Sequence, residues 1–177
     1  MKELDQLLEL DAIDRRILGL LQQDASLTNQ ALAARVHVSP PTCLRRVRRL
    51  VQAGVIQRTV ALLDPQQLGP GLLAICEVTL DRQGAEHLEA FEARAVAHGA
   101  VQQCYRVSPG PDFVLLAAAP DMPAWARVTQ ELFTQDANVR NVKTFFSVRR
   151  AKFETAQRVG PFARDRTVLV HDENPVL

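Results

Sequence analysis

SPPTCLRRVRRLVQAG, residues 39–54, carries both a helix start and a helix stop. Ser39 can cap through its side-chain oxygen, Pro40 suits the first helical position because its missing N–H would have no partner there, and Gly54 accepts the left-handed turn that closes a helix. Between them Leu44, Val47, Leu50 and Val51 recur at helical spacing as an apolar stripe. Thr42, Arg45, Arg46 and Arg49 face away from it, with Arg48 and Gln52 on one flank. From Ala25 to Leu63 there is no Asp or Glu but there are six arginines (Arg35, Arg45, Arg46, Arg48, Arg49, Arg58), a formal +6 within 39 residues. The whole chain is only +1, so the remainder is −5 and the cationic character is expected to be confined to this one segment. Such asymmetry suits a polyanion partner.

A solvated amphipathic helix would show the same charge, but this one has a matching neighbour. Thr28 can cap a second short helix, Asn29 to Val36, with Leu32 and Val36 spaced to lie on a core. His37-Val38-Ser39 then makes a three-residue turn. A short helix, a tight turn and an Arg-faced second helix form a helix-turn-helix, whose second helix enters the DNA major groove. By that geometry Thr42, Arg45 and Arg46 are expected at base edges, with arginine favouring guanine. Ser39, Arg48, Arg49 and Arg58 are expected at phosphates, and Pro41 beside them at the DNA surface. A dimer of such units would read an inverted repeat with half-sites roughly one helical turn, about 10 bp, apart.

The composition is that of an ordinary globular protein, with 47% apolar and 23% charged residues in 177. The acidic start, MKELDQLLEL, has no signal-peptide core, and the longest apolar run, Phe113 to Ala119, is too short to span a bilayer. A cytoplasmic protein without a membrane partner is the expectation. Cys43, Cys76 and Cys104 are widely spaced and contain no CxxC, and His37, His87, His98 and His171 lack ligand spacing. Neither a metal nor a cofactor is expected, and the cysteines read as reduced core thiols.

Along the chain, Leu4, Leu7 and Leu8 leave residues 1–10 readable as a short helix or an arm. Asp11 caps a helix with Asp14 in its first turn and Ile13, Ile17, Leu20 and Leu21 on its apolar face. Val55 to Leu63 reads as a short strand or wing holding Arg58, and Asp64 to Gly71 is a Pro- and Gly-rich connector. The second half alternates. Strands are expected at Leu72 to Leu80, Val101 to Val107, Phe113 to Ala119 and Val139 to Val148, the third buried on both faces. Helices are expected at Ala85 to Ala97, with Leu88, Phe91 and Val96 inward, and after Asp121, with Trp125, Val128 and Leu132 inward. This βαββαβ order is the ferredoxin-like arrangement, whose antiparallel sheet leaves one face free for a partner such as another copy. The expected organisation is an α+β chain: a winged helix-turn-helix at 1–63, a linker at 64–71, a ferredoxin-like domain at 72–148 and an extension of unassigned role at 149–177.

These residues resemble the Lrp/AsnC (feast/famine) family of bacterial and archaeal transcription regulators, from Leu10 to about Val148. The matches are LDAIDRRIL at 10–18, Val38-Ser39-Pro40, Cys43-Leu44, Arg46 to Leu50, Gly54-Val55-Ile56, Asp64-Pro65 with Leu68-Gly69, and Pro120-Asp121-Met122. The resemblance implies a sequence-specific, amino-acid-responsive regulator of amino-acid metabolism or transport genes, associated with the nucleoid. It also implies a homodimer formed through the sheet, assembly to an octamer, and an amino acid bound between dimers beside the loop Ser108 to Asp112, with Met122 and Thr144 nearby. There Asp112 would hold the α-ammonium group, while Thr144 and the amides of a loop containing Gly110 hold the carboxylate. Asp112 reads equally well as a turn former.

Three departures stand out. Ala31 replaces the acid that completes a capping box in relatives, Arg58-Thr59 replaces a Gly-Tyr pair, and Pro109-Gly110-Pro111-Asp112 keeps only the final Asp of the family's effector loop. Two alternatives accompany the regulator. One is a same-fold enzyme of the haem-pathway decarboxylase type, which needs His, Arg and Tyr around a tetrapyrrole, whereas Tyr105 is the single tyrosine. The other is an effector-binding module that does not read DNA.

Overall fold

The computed structural model describes residues 8–69 and 71–159; the segment before Leu8, Pro70 of the connector, and 160–177 with His171 lie outside the described residues. Two compact units form, one from 8–61 together with 154–159, the other Leu62–Phe153.

The first unit holds α1 (Ala12–Gln23), α2 (Asn29–Val36) and α3 (Pro40–Gln52). Asp11 and Asp14 close a reciprocal capping box on α1, the Asp14 amide donating to Asp11 at 2.8 Å and the Asp11 amide to Asp14 at 3.3 Å. Thr28 caps α2 alone by accepting from the Ala31 amide, as the missing acid at Ala31 requires. His37 closes α2 with φ +58°, so the left-handed residue of the turn is a histidine rather than a glycine. Two side-chain clamps hold the helices: Arg16 donates to the Arg35 carbonyl at 2.9 Å, and Asn29 donates to the Pro40 carbonyl at 2.8 Å.

Ile17, Leu32, Val36, Cys43 and Leu50 form the centre of this core. The inward stripe of α3 is therefore Cys43, Val47 and Leu50, turned from the expected one: Leu44 is 38% and Val51 50% exposed. The buried Cys43 thiol supplies apolar surface that the aliphatic pattern did not count. Val55 to Leu63 makes no strand. An extended segment becomes a strand only with a ladder partner, and among the described residues it has none.

Part of the extension left without an assigned role, 154–159, returns to this unit. Gln157 and Gln22 exchange hydrogen bonds, the Gln157 amide donating to Gln22 Oε1 at 2.5 Å and Gln22 Nε2 donating to the Gln157 carbonyl at 3.0 Å. Val159 packs against the three-helix core.

The second unit contains β1 (Leu72–Leu80), α4 (Ala85–Ala97), β2 (Val101–Arg106), β3 (Phe113–Ala119), α5 (Met122–Thr129) and β4 (Val139–Phe146), with a π-helical turn at Gln130–Thr134 after α5. The sheet order is β2-β3-β1-β4, antiparallel throughout. Ala74, Cys76, Val78, Leu80, Phe113, Leu115 and Ala117 point to the helices and pack with Phe91, Ala95, Trp125 and Leu132. On α4 the inward residue is Ala95, whereas Val96 is 66% exposed, because the residue four after Phe91 shares its face and the one five after does not. β3 is fully buried on its helix side only. Val114, Leu116 and Ala118 on the other side are half-buried, as are Leu73 and Ile75 of β1, and Phe145 lies opposite Ile75 at 52% exposed. One face of the sheet is thus helix-covered and the other is an open, largely apolar surface.

Candidate nucleic-acid interface and ligand-binding loop

Because α3 is rotated toward Cys43, Arg46 comes to the flank of the buried face and meets α1. Its Nη1 donates to Asp11 at 2.6 Å and to Asp14 at 2.9 Å, and Arg49 also pairs with Asp14. Asp14 is fully buried, the Arg46 side chain is 18% exposed and that of Arg49 45%. Two of the arginines that had no acid within their own segment are therefore neutralised by carboxylates arriving from another helix. The Asp14 amide, then the Arg46 guanidinium, hold the Asp11 carboxyl below its ordinary 3.8. A depressed carboxyl stabilises the fold above its unfolded pKa, and that contribution is lost as pH falls through the lower folded value.

The remaining α3 residues stand outward. Arg45 and Arg48 are exposed and, among the described residues, have no ion-pair partner; Pro41 is exposed beside them. Arg45, Arg46 and Arg49 with Asp11 line an open polar recess of about 220 Å³. The Ser39 and Thr42 hydroxyls bond to each other at 2.8 Å while Ser39 also accepts from the Thr42 amide, so both are fixed at the helix start. Arg58 is exposed in the irregular segment after α3. The inter-helix pairing of Arg46 and Arg49 was hidden from a reading of local charge; the spacing Asp11, Asp14 on one helix against Arg46, Arg49 on another was its only trace.

In the second unit, the loop between β2 and β3 is built around Asp112. Its carboxylate accepts from the Leu80 amide at 2.7 Å, its amide donates to the Val78 carbonyl at 2.8 Å, and its carbonyl accepts from the Val107 amide at 3.1 Å. Leu80 sits where the β1–β4 register shifts, so the carboxylate satisfies an amide at the irregularity. Gly110 adopts φ +130°, which side chains rarely tolerate. Pro109 and Pro111 have no N–H and the Asp112 N–H is taken, leaving Ser108 and Gly110 as the loop amides open to a ligand. Thr144 lies half-buried in β4, 3.7 Å from the Cys76 sulfur. Met122 is exposed just past the far end of β3, whose seven residues span on the order of 20 Å. A single chain brings Ser108, Gly110 and Asp112 together but not Met122.

Replacing the buried carboxylate tests this arrangement. Asp14→Ala removes the α1 capping box partner and leaves Arg46 and Arg49 short of their counter-charge, at about 2–4 kcal/mol. The first unit's melting point is expected to fall by on the order of 10 °C or more, read by circular dichroism. A shift within about 2 °C of the parent would show that the pair carries no net stability.

Comparison with known proteins agrees with this geometry. A winged helix-turn-helix DNA-binding family model matches residues 10–57, and the Lrp/AsnC ligand-binding domain matches 73–157. The leucine-responsive regulatory protein of Rhizobium meliloti is 42% identical over 144 residues, covering 81% of this chain and 92% of that protein. Its counterpart in Escherichia coli is 37% identical, covering 81% and 88%. A Neisseria meningitidis transcriptional regulator solved as an L-Met complex superposes with a TM-score of 0.77 at 31% identity, covering 84% of this chain and 96% of that one. An AsnC family regulator from Agrobacterium tumefaciens gives 0.77 at 29% identity with the same coverage. A DNA-binding helix-turn-helix followed by this ligand-binding domain makes the chain a member of the Lrp/AsnC family of transcriptional regulators.

Proposed function

We propose that this regulator reads double-stranded DNA through the outward face of α3 and answers to an amino acid held beside the β2–β3 loop. The observation that carries the DNA reading is the pair of outward guanidiniums, Arg45 and Arg48, which have no ion-pair partner among the described residues. Arg45 and Thr42 serve as base readers, Ser39, Pro41, Arg48 and Arg58 line the phosphate track, and Arg46 and Arg49 hold the helix to α1. The likeness to a regulator crystallised with L-Met supports an amino-acid effector. Its targets are amino-acid metabolism or transport genes, and it works in the cytoplasm on the nucleoid. The same-fold enzyme reading is disfavoured, because Tyr105 lies on the open face of the sheet beside Gln103 while His87 and His98 lie on the helix side.

The open sheet face is proposed as the dimer surface, with Ile75 and Phe145 at its centre. The separation of Met122 from the loop supports an effector site completed by further copies, in a dimer of dimers or an octamer. Asp112 supports the loop by accepting from Leu80, and its second oxygen is the proposed ammonium partner.

Arg45→Ala is expected to cost about 1–3 kcal/mol at the cognate operator and to relax its preference, whereas Arg58→Ala weakens all sequences alike and flattens the salt dependence. Equal losses on operator and random DNA for Arg45→Ala would remove it from the readers. Ile75→Asp places a charge in the open face, and light scattering should show a smaller assembly than the parent; an unchanged mass rejects this face as the interface. At millimolar concentration at least one proteinogenic amino acid should raise the melting temperature. Asp112→Asn keeps an acceptor for the Leu80 amide and removes the charge, so the shift should disappear without loss of fold. A retained shift excludes Asp112 from the ligand.

A further inference from the structure

Charge enters the open face of the sheet in one row. β1 alternates, so Ala74, Cys76, Val78 and Leu80 take the helix side and Leu73, Ile75, Glu77 and Thr79 the open one. The ladder sets Glu77 opposite Val114 of β3 and Lys143 of β4, and Val114 opposite Tyr105 of β2. The neighbouring row is Gln103, Leu116, Ile75 and Phe145. Among the described residues that these pairings place on the open face, Glu77 is the one acid and Lys143 the one base; Arg140 is the extra residue where the register shifts. Glu77 is half-buried and Lys143 exposed, and although their backbones face each other the side chains form no ion pair among the described residues. Glu77 stands on an inner strand, two residues or about 7 Å along it from Ile75. A copy that covers Ile75 and Phe145 therefore also takes the Glu77 carboxylate out of water, which is tolerable only if a cation arrives with that copy. An isologous interface presents the same residues from both sides, so the cation must come from this same face, where Lys143 is the base available.

We propose that Glu77 of each copy pairs with Lys143 of the second copy across the sheet-to-sheet interface, and that this reciprocal pair makes the interface selective for another copy of this chain. It rests on the dimer reading above and adds to it the basis on which a partner is chosen. Two-fold symmetry makes the pair occur twice, so its effect on selectivity is doubled. A chain of the same fold with an apolar or acidic residue in place of Lys143 would leave Glu77 covered without a counter-charge. Such a mixed pair is rejected by electrostatics even where the apolar surfaces match in shape.

The test uses the full chain with both charges reversed, Glu77→Lys together with Lys143→Glu, co-expressed with the parent carrying a short mass tag. The doubly reversed chain keeps the pair in its own dimer, so light scattering should give it the parent's mass; a smaller assembly overturns the proposal. A mixed dimer sets carboxylate against carboxylate and ammonium against ammonium. Counted by native mass spectrometry, mixed dimers should fall at least about tenfold below their statistical share. A smaller depletion overturns the proposal, because charges that pair within each chain are indifferent to the partner. An excess of mixed dimers also overturns it, because like positions would then face each other. The single variants give an independent check: Glu77→Lys and Lys143→Glu should each assemble less than the parent, and their equal mixture should recover the parent mass. Single variants that assemble like the parent, or a mixture that does not recover, overturn the proposal. Ile75→Asp tells the two readings apart: if it leaves the mass unchanged, the dimer reading itself fails, whereas a smaller Ile75→Asp assembly with free mixing of the reversed chain removes only the pair.

Discussion

A carboxylate with no solvent exposure, Asp14, organises the DNA-binding unit. Burying that charge is tolerable only because Arg46 and Arg49 reach it and because its second oxygen closes the cap of α1. The three functions are inseparable. The cap fixes where α1 begins, the ion pairs fix the rotation of α3 about its own axis, and that rotation decides which arginines stand outward. An ion pair inside the unit thus sets which guanidiniums face away from it.

Much of the architecture was legible because its signals are local. Caps at Asp11, Thr28, Ser39 and Asp121 place helix starts to the residue, and the βαββαβ order follows from alternation and turn residues. What was not legible depends on neighbours distant in sequence. The arginines of α3 look unopposed because Asp11 and Asp14 lie more than thirty positions away. Val55 to Leu63 has the composition of a strand, yet composition cannot supply a ladder partner. The all-apolar run of β3 hides that helices cover one side only, since periodicity reports hydrophobicity and not what lies against it.

The β2–β3 loop shows the same division between a residue's identity and its employment. Asp112 was expected either to hold a ligand or to shape a turn, and it serves the fold first, by satisfying an amide at an irregularity in the sheet. A carboxylate has two oxygens, so structural use of one leaves the other available. Prolines on both sides of Gly110 remove amide donors and fix the loop's path, trading hydrogen-bonding capacity for rigidity.

The exchange between Gln22 and Gln157 bears on how the protein is made. The three helices emerge early from the ribosome and carry most of their own core, yet one packing partner, Val159, is separated from α1 by the whole ligand-binding domain. Domains emerging during synthesis generally fold as units in order, N-terminal first. Here residues 154–159 join the first unit from beyond the second domain, so their contacts with it can form only after that domain has been synthesised. The helix-turn-helix can therefore gain this contact only once the whole ligand-binding domain has left the ribosome.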